Sequence, residues 1–327
     1  MSFNMLKKNV NLQDKWEEFN EKGIEVLTSF LTENIETEGK IHEVKDSKVF
    51  TNKEFAVLYS IIYNLCIIPK GNFTKKLYLR YVEVNIKYLQ DHVLPDLLEV
   101  SGAILLKKLS THWDQFINIF VKWLGKCFHY LNQHYVKQNS LETVSQKGES
   151  LFKVQVFMNI KVNVYKSILS EFEKERDEKI VDTHSLKQII IMIIKFRQKG
   201  WKEEDFYQEL EDQYVAETAK YYSRKGVEFL KDYTCEEYLK KIERIIEEEK
   251  ERADRYMKES TCEKFIAVVQ DELLVKNLTN LLDKNSGLDY ILENHIVKDM
   301  HLMYRLYCPL QPCLKEIAQR FRIFISK

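Results

Sequence analysis

Cys127, His129 and His134 stand within eight residues of one another and offer the donor types that bind zinc. Zinc needs those donors to converge on a point. On a helix Cys127 and His134, seven apart, share a face, whereas His129 lies about 160° round the axis from Cys127. The set therefore reads as helix packing, and no second cluster supplies further ligands. Cys308 and Cys313 have no histidine partners at useful spacing. Magnesium pyrophosphate chemistry on an all-α frame needs clustered carboxylates, and the chain contains no Asp-Asp pair. Phosphate-cradling glycine loops are absent too: the closest two glycines, Gly23 and Gly39, are 16 positions apart. No serine or cysteine nucleophile sits in a recognisable turn. The residue types thus predict no catalytic residue, no metal and no cofactor.

Binding is the chemistry the pattern favours. From Phe55 to Ile68 only Ser60 and Asn64 interrupt an apolar run. Phe55, Leu58, Tyr59, Ile62, Tyr63 and Cys66 form one stripe at helical spacing, while Ala56, Val57, Ile61, Leu65 and Ile68 cover most of the rest. A helix that is apolar all round must be covered on both sides. It is either the central helix of a core, or one side meets another protein. Ile119 to Val136 shares the property, with Phe120, Trp123, Phe128, Tyr130 and Tyr135 on more than one side. Two such segments near one end of a chain suggest an apolar patch for a partner, in which tyrosine is a favoured anchor.

The elements that must hold these residues are helical throughout. Nine glycines and four prolines among 327 residues leave too few turn residues for sandwiches, barrels or doubly wound sheets. The 50 Lys and Arg balance 50 Asp and Glu, so no general nucleic-acid or polybasic membrane footprint exists. The longest purely apolar run, Ile189 to Ile194, is far short of a membrane span. Most of the six cysteines fall in apolar, helix-like surroundings and read as reduced thiols, and no signal-peptide core opens the chain. A cytoplasmic or nuclear protein is expected.

Residues 1–11 read as a loose arm and 12–31 as a helix, followed by a charged loop over 33–48. Asn52 is the expected N-cap of a helix running to Ile68, which Pro69 and Gly71 stop. A long helix follows from Asn72, broken or kinked at Pro95. Helical periodicity resumes to about Val136 and again over 150–175, ending in the charged turn Glu175 to Lys179. Helices are expected over 185–196, 203–230 and 234–258, and from 261 to the end with interruptions at Gly287, Pro309 and Pro312. The ten acids and eight bases over 236–264 read as a solvated face with i,i+4 pairs. The fold class is all-α, an extended array of a dozen or so antiparallel helices.

Several segments, in order, resemble one family. Leu12-Gln13-Asp14-Lys15-Trp16, Phe55 to Cys66, Val93-Leu94-Pro95-Asp96-Leu97, Trp113 and Tyr130 to Val136 match the opening five helices of a cullin. Glu173-Lys174-Glu175-Arg176, Tyr221-Tyr222-Ser223-Arg224-Lys225, Glu249-Lys250-Glu251-Arg252 with Tyr256, and Met303 to Tyr307 continue the match. The chain thus resembles the N-terminal half of the cullins, most closely plant cullins of the F-box-ligase type. That resemblance implies five-helix cullin repeats over 12–146, 147–256 and, incompletely, 257–327. It also implies a non-catalytic scaffold of a cullin-RING ubiquitin ligase, acting in ubiquitin-dependent degradation. Its partner would be a BTB/POZ-fold adaptor carrying an F-box substrate receptor, held by Phe55, Ala56, Tyr59, Ile62, Tyr63 and Tyr130. The family's RING-box subunit site and cullin-homology domain would lie beyond Lys327. Such a chain could equally compete for adaptor without ligase activity, and an unrelated all-α protein-binding array is the remaining alternative.

The sequence departs from the family pattern in places. Ala56 stands where a bulkier residue, often methionine, is usual, and Glu178 where the charged turn has glycine. Lys153-Val154 replaces an Arg-Asp pair after Phe152. Pro309, Pro312 and Cys313 replace other residues near the end, and are expected to distort the last repeat.

Overall fold

The computed structural model describes residues 11–36, 49–68, 73–196 and 205–326. The arm expected over 1–11 lies outside them except for Asn11, as do the stops at Pro69 and Gly71 and most of the 33–48 loop. Among the described residues there are fourteen helices and no strand. The chain divides into two compact units, Met1–Ile168 and Leu169–Lys327.

In the first unit, α1 (12–36) starts where Asn11 Oδ1 accepts from the Gln13 amide at 3.0 Å. It passes through a π-helical turn at Asn20–Glu25 and continues to Glu36, five residues past the expected end. α2 (Asn52–Cys66) is capped by Thr51 rather than Asn52. The Thr51 amide donates to Glu54 Oε2 at 2.8 Å and the Glu54 amide to Thr51 Oγ1 at 3.3 Å, a reciprocal box that satisfies two orphan donors. Those bonds to its backbone and hydroxyl partner hold the Glu54 carboxyl below its ordinary pKa.

α3 (74–98) does not break at Pro95. Its backbone widens into a π-turn at Leu89–Val93, and Leu94–Leu98 continues as α-helix with Pro95 in its first turn. The widened turn takes the place of the α-helical register in which the ring would strike a carbonyl. α4 (102–127) and α5 (129–136) are separated by a single turn residue, Phe128, and both contain π-turns. α6 (144–176) completes the unit with its residues up to Ile168, and its last eight residues belong to the second.

The core is aromatic. Tyr88 stacks on Phe120 with centroids 4.3 Å apart, Phe19 meets Phe128 edge-on at 5.8 Å, and the buried Tyr81 hydroxyl donates to the Val144 carbonyl at 2.6 Å. α1 lies close on α2 at Gly23, where an added Cβ would stand 3.0 Å from a Leu58 methyl. That contact fixes which side of α2 faces inward.

In the second unit α7 (Thr183–Lys195), α8 (Phe206–Asp232), α9 (Cys235–Tyr256) and α10 (259–275) precede four shorter elements: α11 (Leu278–Leu282), α12 (Leu288–Glu293), α13 (Val297–Tyr307) and α14 (Gln311–Ile325). Much of the 236–264 charge does face water, as in the Arg244–Glu248 pair at 3.0 Å. Two members do not: Glu249 and Arg252 are buried, against expectation. Pro309 falls in a turn. Pro312 falls in the first turn of α14, where its missing amide has no helical acceptor to lose and proline is favoured.

Candidate functional site

α2 divides into two sides. Leu58, Ile61, Ile62 and Leu65 face the core and are buried. Val57 is 43% exposed and Ile67 45%, Ala56 is exposed, and Phe55, Tyr59, Tyr63 and Cys66 are half-buried. An apolar side of the helix therefore remains after the unit has closed. This is the arrangement that an all-round apolar helix demands if it is not a central core helix.

The half-buried aromatics form one continuous row across three elements. Trp123, at the end of α4, packs edge-on against Phe55 at 5.8 Å and against the buried Phe50 at 5.3 Å. Along α2, Phe55 meets Tyr59 at 6.3 Å and Tyr59 stacks on Tyr63 at 5.9 Å, since residues four apart lie one above the other. Tyr63 then meets Tyr130 of α5 edge-on at 4.9 Å, and Tyr130 packs on His134 at 4.2 Å. The turn at Phe128 lets α4 supply Trp123 at one end of the row and α5 supply Tyr130 at the other.

Four of the six sequence-predicted residues, Phe55, Tyr59, Tyr63 and Tyr130, are thus brought together, and Ala56 lies exposed on the same helix. Ile62 is not on this surface. It is 0% exposed and belongs to the core beneath, because it falls on the side that Gly23 draws inward. Trp123, Lys126 and His134 were missed as site residues. Lys126 carries its ammonium 4.4 Å from the centre of the Trp123 ring. The seven-residue interval between Trp123 and Tyr130 was the available signal.

Among the described residues the hydroxyls of Tyr59, Tyr63 and Tyr130 have no hydrogen-bond partner in the chain. A surface of this kind does no covalent chemistry. It offers flat apolar area at low entropic cost, with three hydroxyls left over to pair across an interface.

The zinc-like set does not assemble. Cys127 is buried, and burial pushes its thiol up to about 12, while His129 and His134 are exposed. Among the described residues no group of three or more His, Cys, Asp or Glu could hold a metal ion.

A second constellation lies wholly in the second unit. The Arg176 Nε donates to Glu249 Oε1 at 3.1 Å and its Nη2 to Thr218 Oγ1 at 2.7 Å. The Tyr222 hydroxyl donates to the same Glu249 oxygen at 2.7 Å, and Arg252 also donates to it. Arg255 pairs with Glu175 at 2.6 Å, and Tyr221 donates to Asp177 at 2.9 Å. The Arg176 guanidinium stands 5.3 Å from the Tyr221 ring centre and 5.5 Å from those of Tyr214 and Tyr222. Burial opposes its charge, but Glu249, with Tyr214 and Tyr222, lifts its pKa above the ordinary value. Each arginine here finds a carboxylate within the unit, though Arg252 Nε, Glu175 Oε2 and the Tyr214 hydroxyl are buried without a hydrogen bond.

These segments are the ones on which the resemblance rests, and comparison with known proteins agrees. The family described as "Cullin alpha solenoid domain" matches residues 35–327. The chain belongs to the cullin family. It is 31% identical over 323 residues to Cullin-1 of Oryza sativa subsp. japonica, covering 98% of this chain and 41% of that protein. Cullin-2 of Arabidopsis thaliana is 30% identical over 296 residues, covering 88% and 38%. A putative cullin-like protein 2 of the same plant is 28% identical over 292 residues, covering 88% and 77%. The chain therefore spans about two-fifths of the length of Cullin-1 and Cullin-2. The all-α architecture is that of a cullin helical repeat array. No helix among the described residues of this cullin is long and apolar enough to cross a membrane.

Proposed function

We propose that this cullin chain is a non-catalytic scaffold segment that holds a BTB/POZ-fold adaptor, itself carrying an F-box-type substrate receptor, for ubiquitin-dependent degradation. The observation that carries the reading is the uncovered aromatic row on α2 and α5, the second and fifth helices of the first repeat. Those are the helices the cullin resemblance assigns to adaptor contact. Phe55, Tyr59, Tyr63 and Tyr130 are its anchors and Ala56 part of its surface. Ile62 acts from below by fixing the pitch of α2. The proposal keeps the partition into repeats over 12–146, 147–256 and 257–327, and a cytoplasmic or nuclear setting. The scaffold contributes position, since holding a substrate near its modifying partner replaces a bimolecular encounter.

Replacing Tyr59 or Tyr130 by Ala tests it. Calorimetry against a purified BTB/POZ-fold adaptor is expected to show about 2 kcal/mol or more of lost affinity. Helicity and melting should stay close to those of the parent chain. Unaltered affinity, or loss of the fold together with affinity, would make the row ordinary packing.

A further inference from the structure

The row lies beside an unbalanced charge. Residues 115–141 contain Lys122, Lys126 and Lys137, with His129 and His134, and no Asp or Glu. All five are exposed, and among the described residues none is paired with a carboxylate. The flanking acids are already engaged. Asp114 accepts from Asn118 at 2.6 Å, and Glu142 accepts from Lys147 at 3.0 Å and from Ser150. On α2 the only acid, Glu54, is held in the capping box with Thr51. Two of the basic residues touch the row itself: Lys126 lies over Trp123 and His134 packs on Tyr130. Elsewhere in this cullin, lysines commonly find a carboxylate within the chain, as Lys147, Lys174, Lys220 and Lys264 do. Lysines without a carboxylate partner among the described residues occur elsewhere too, as at Lys53, Lys75 and Lys87. What sets the stripe along α4 and α5 apart is that no acid falls within it and that it reaches the aromatic row at Lys126 and His134.

We propose that the protein surface seated on this row carries carboxylates along the edge that meets α4 and α5, so that Lys122, Lys126 and Lys137 steer its approach. The inference rests on the docking reading above and names the chemistry of the partner: an apolar centre bordered on one side by acid. Exposed rim charges act mainly before contact, raising the rate of productive encounter, while the desolvated aromatics set how long the complex lasts.

The test compares the full chain with a triple variant, Lys122→Glu, Lys126→Glu and Lys137→Glu, and with a neutral set carrying Gln at the same positions. Association and dissociation rates with a purified BTB/POZ-fold adaptor are measured at about 0.05 M and about 0.5 M salt, where screening lengths differ severalfold. The expected result is an association rate lowered roughly tenfold or more by the Glu set at low salt, a smaller drop for the Gln set, and dissociation changed less than about twofold. The difference should largely vanish at high salt. Association rates equal to the parent's in both variant sets would overturn the acidic-edge proposal. The docking reading would survive that result if Tyr59→Ala still weakens binding. No binding by the parent chain would remove the docking reading, and this inference with it. Binding of the parent to phosphatidylserine vesicles or to RNA, lost in the triple variant while adaptor kinetics stay the same, would reassign the stripe and also overturn the proposal.

Discussion

The aromatic row of the first unit and the ion network of the second contrast in how far each is open to solvent. In the row, five aromatic side chains from α2, α4 and α5 touch one another yet stay half-exposed, and three tyrosine hydroxyls find no partner among the described residues. In the network, Glu249 is 1% exposed and takes donors from Arg176, Tyr222 and Arg252. Residue types pointed to the aromatics as a binding patch, and placed Glu249 and Arg252 on a solvated face rather than in a buried network. The difference lies in where the unmet polar groups stand: in half-exposed side chains in the row, and buried in the network, as at the Tyr214 hydroxyl and Arg252 Nε, so that only those of the row are open to a partner.

The sharpest way to break the comparison is through Glu249. A Glu249→Gln change keeps the volume but leaves Arg176 buried without its counter-charge and Arg252 with Glu175 alone, at 3.5 Å, which is expected to destabilise the second unit by about 3–5 kcal/mol. Urea or thermal unfolding checks it. Adaptor affinity of the folded chain should not change. Exchanging Arg176, Glu249 and Arg252 together for apolar residues of matching volume should recover most of the loss. A Glu249→Gln chain as stable as the parent would show that the network is not a structural centre.

The next test sits within α2. Ile62→Ala opens a cavity beneath the row and should cost about 3 kcal/mol of stability. Tyr59→Ala, one turn away, should spare melting and strike binding. If both behave alike, the division of α2 into two sides is wrong.

Some of this contrast was legible in the sequence. The apolar run Phe55 to Ile68 announced the helix, because burial demand is a one-dimensional pattern, but left open whether it was a central core helix or had a side to spare. Tyr59 and Tyr130 followed from spacing together with the resemblance. The network was not legible. Glu249 and Arg252 look like any other members of a charged run, and what buries them is Arg176, 73 positions earlier. Periodicity carries no information about partners so distant. At Pro95 a break or a kink was expected; the helix does not break, and its distortion takes the form of a π-turn just before the proline. The π-turn at Leu89–Val93 has no residue signature that would have predicted it. Asn52 is as good a cap as Thr51 by type, and only Glu54 three residues after Thr51 distinguishes them. Ile62 was placed at the contact surface by the resemblance, and neither that nor its place in the stripe says which edge a neighbour such as Gly23 will cover.

A smaller effect is expected at the edge of the network. Glu178 adopts φ 59°, the left-handed region that favours glycine, where the cullin pattern has glycine. Its contact with Arg244 at 3.3 Å is exposed and contributes little. Glu178→Gly should therefore stabilise the chain by about 1 kcal/mol. A lowered melting temperature would mean that the Arg244 contact outweighs the backbone strain.

The smallest effect returns to the first unit and asks whether its interior, unlike its surface, holds a strained charge. His112 is buried, with Nε2 2.7 Å from Asp96 Oδ2, and Asp96 also takes Lys108. Burial pushes the His112 pKa below its ordinary value, while Asp96 pulls it back up. Asp96 itself is held below the usual carboxylate range: burial raises it, but the bonds from Lys108 and His112 outweigh that. Both folded-state values are depressed, so both groups contribute stability that is present above their unfolded pKa values and lost as pH falls. For His112 the loss begins near the unfolded value of about 6.5, and for Asp96 near about 3.9. The two influences on His112 oppose each other, which keeps its slope shallow. Stability measured by urea unfolding across this range should fall gently below neutrality, and His112→Gln should flatten the upper part of that fall while leaving the part below about pH 4 in place. A parent chain whose stability rises as pH is lowered from neutrality would mean that His112 is charged in the fold and that Asp96, not burial, governs it.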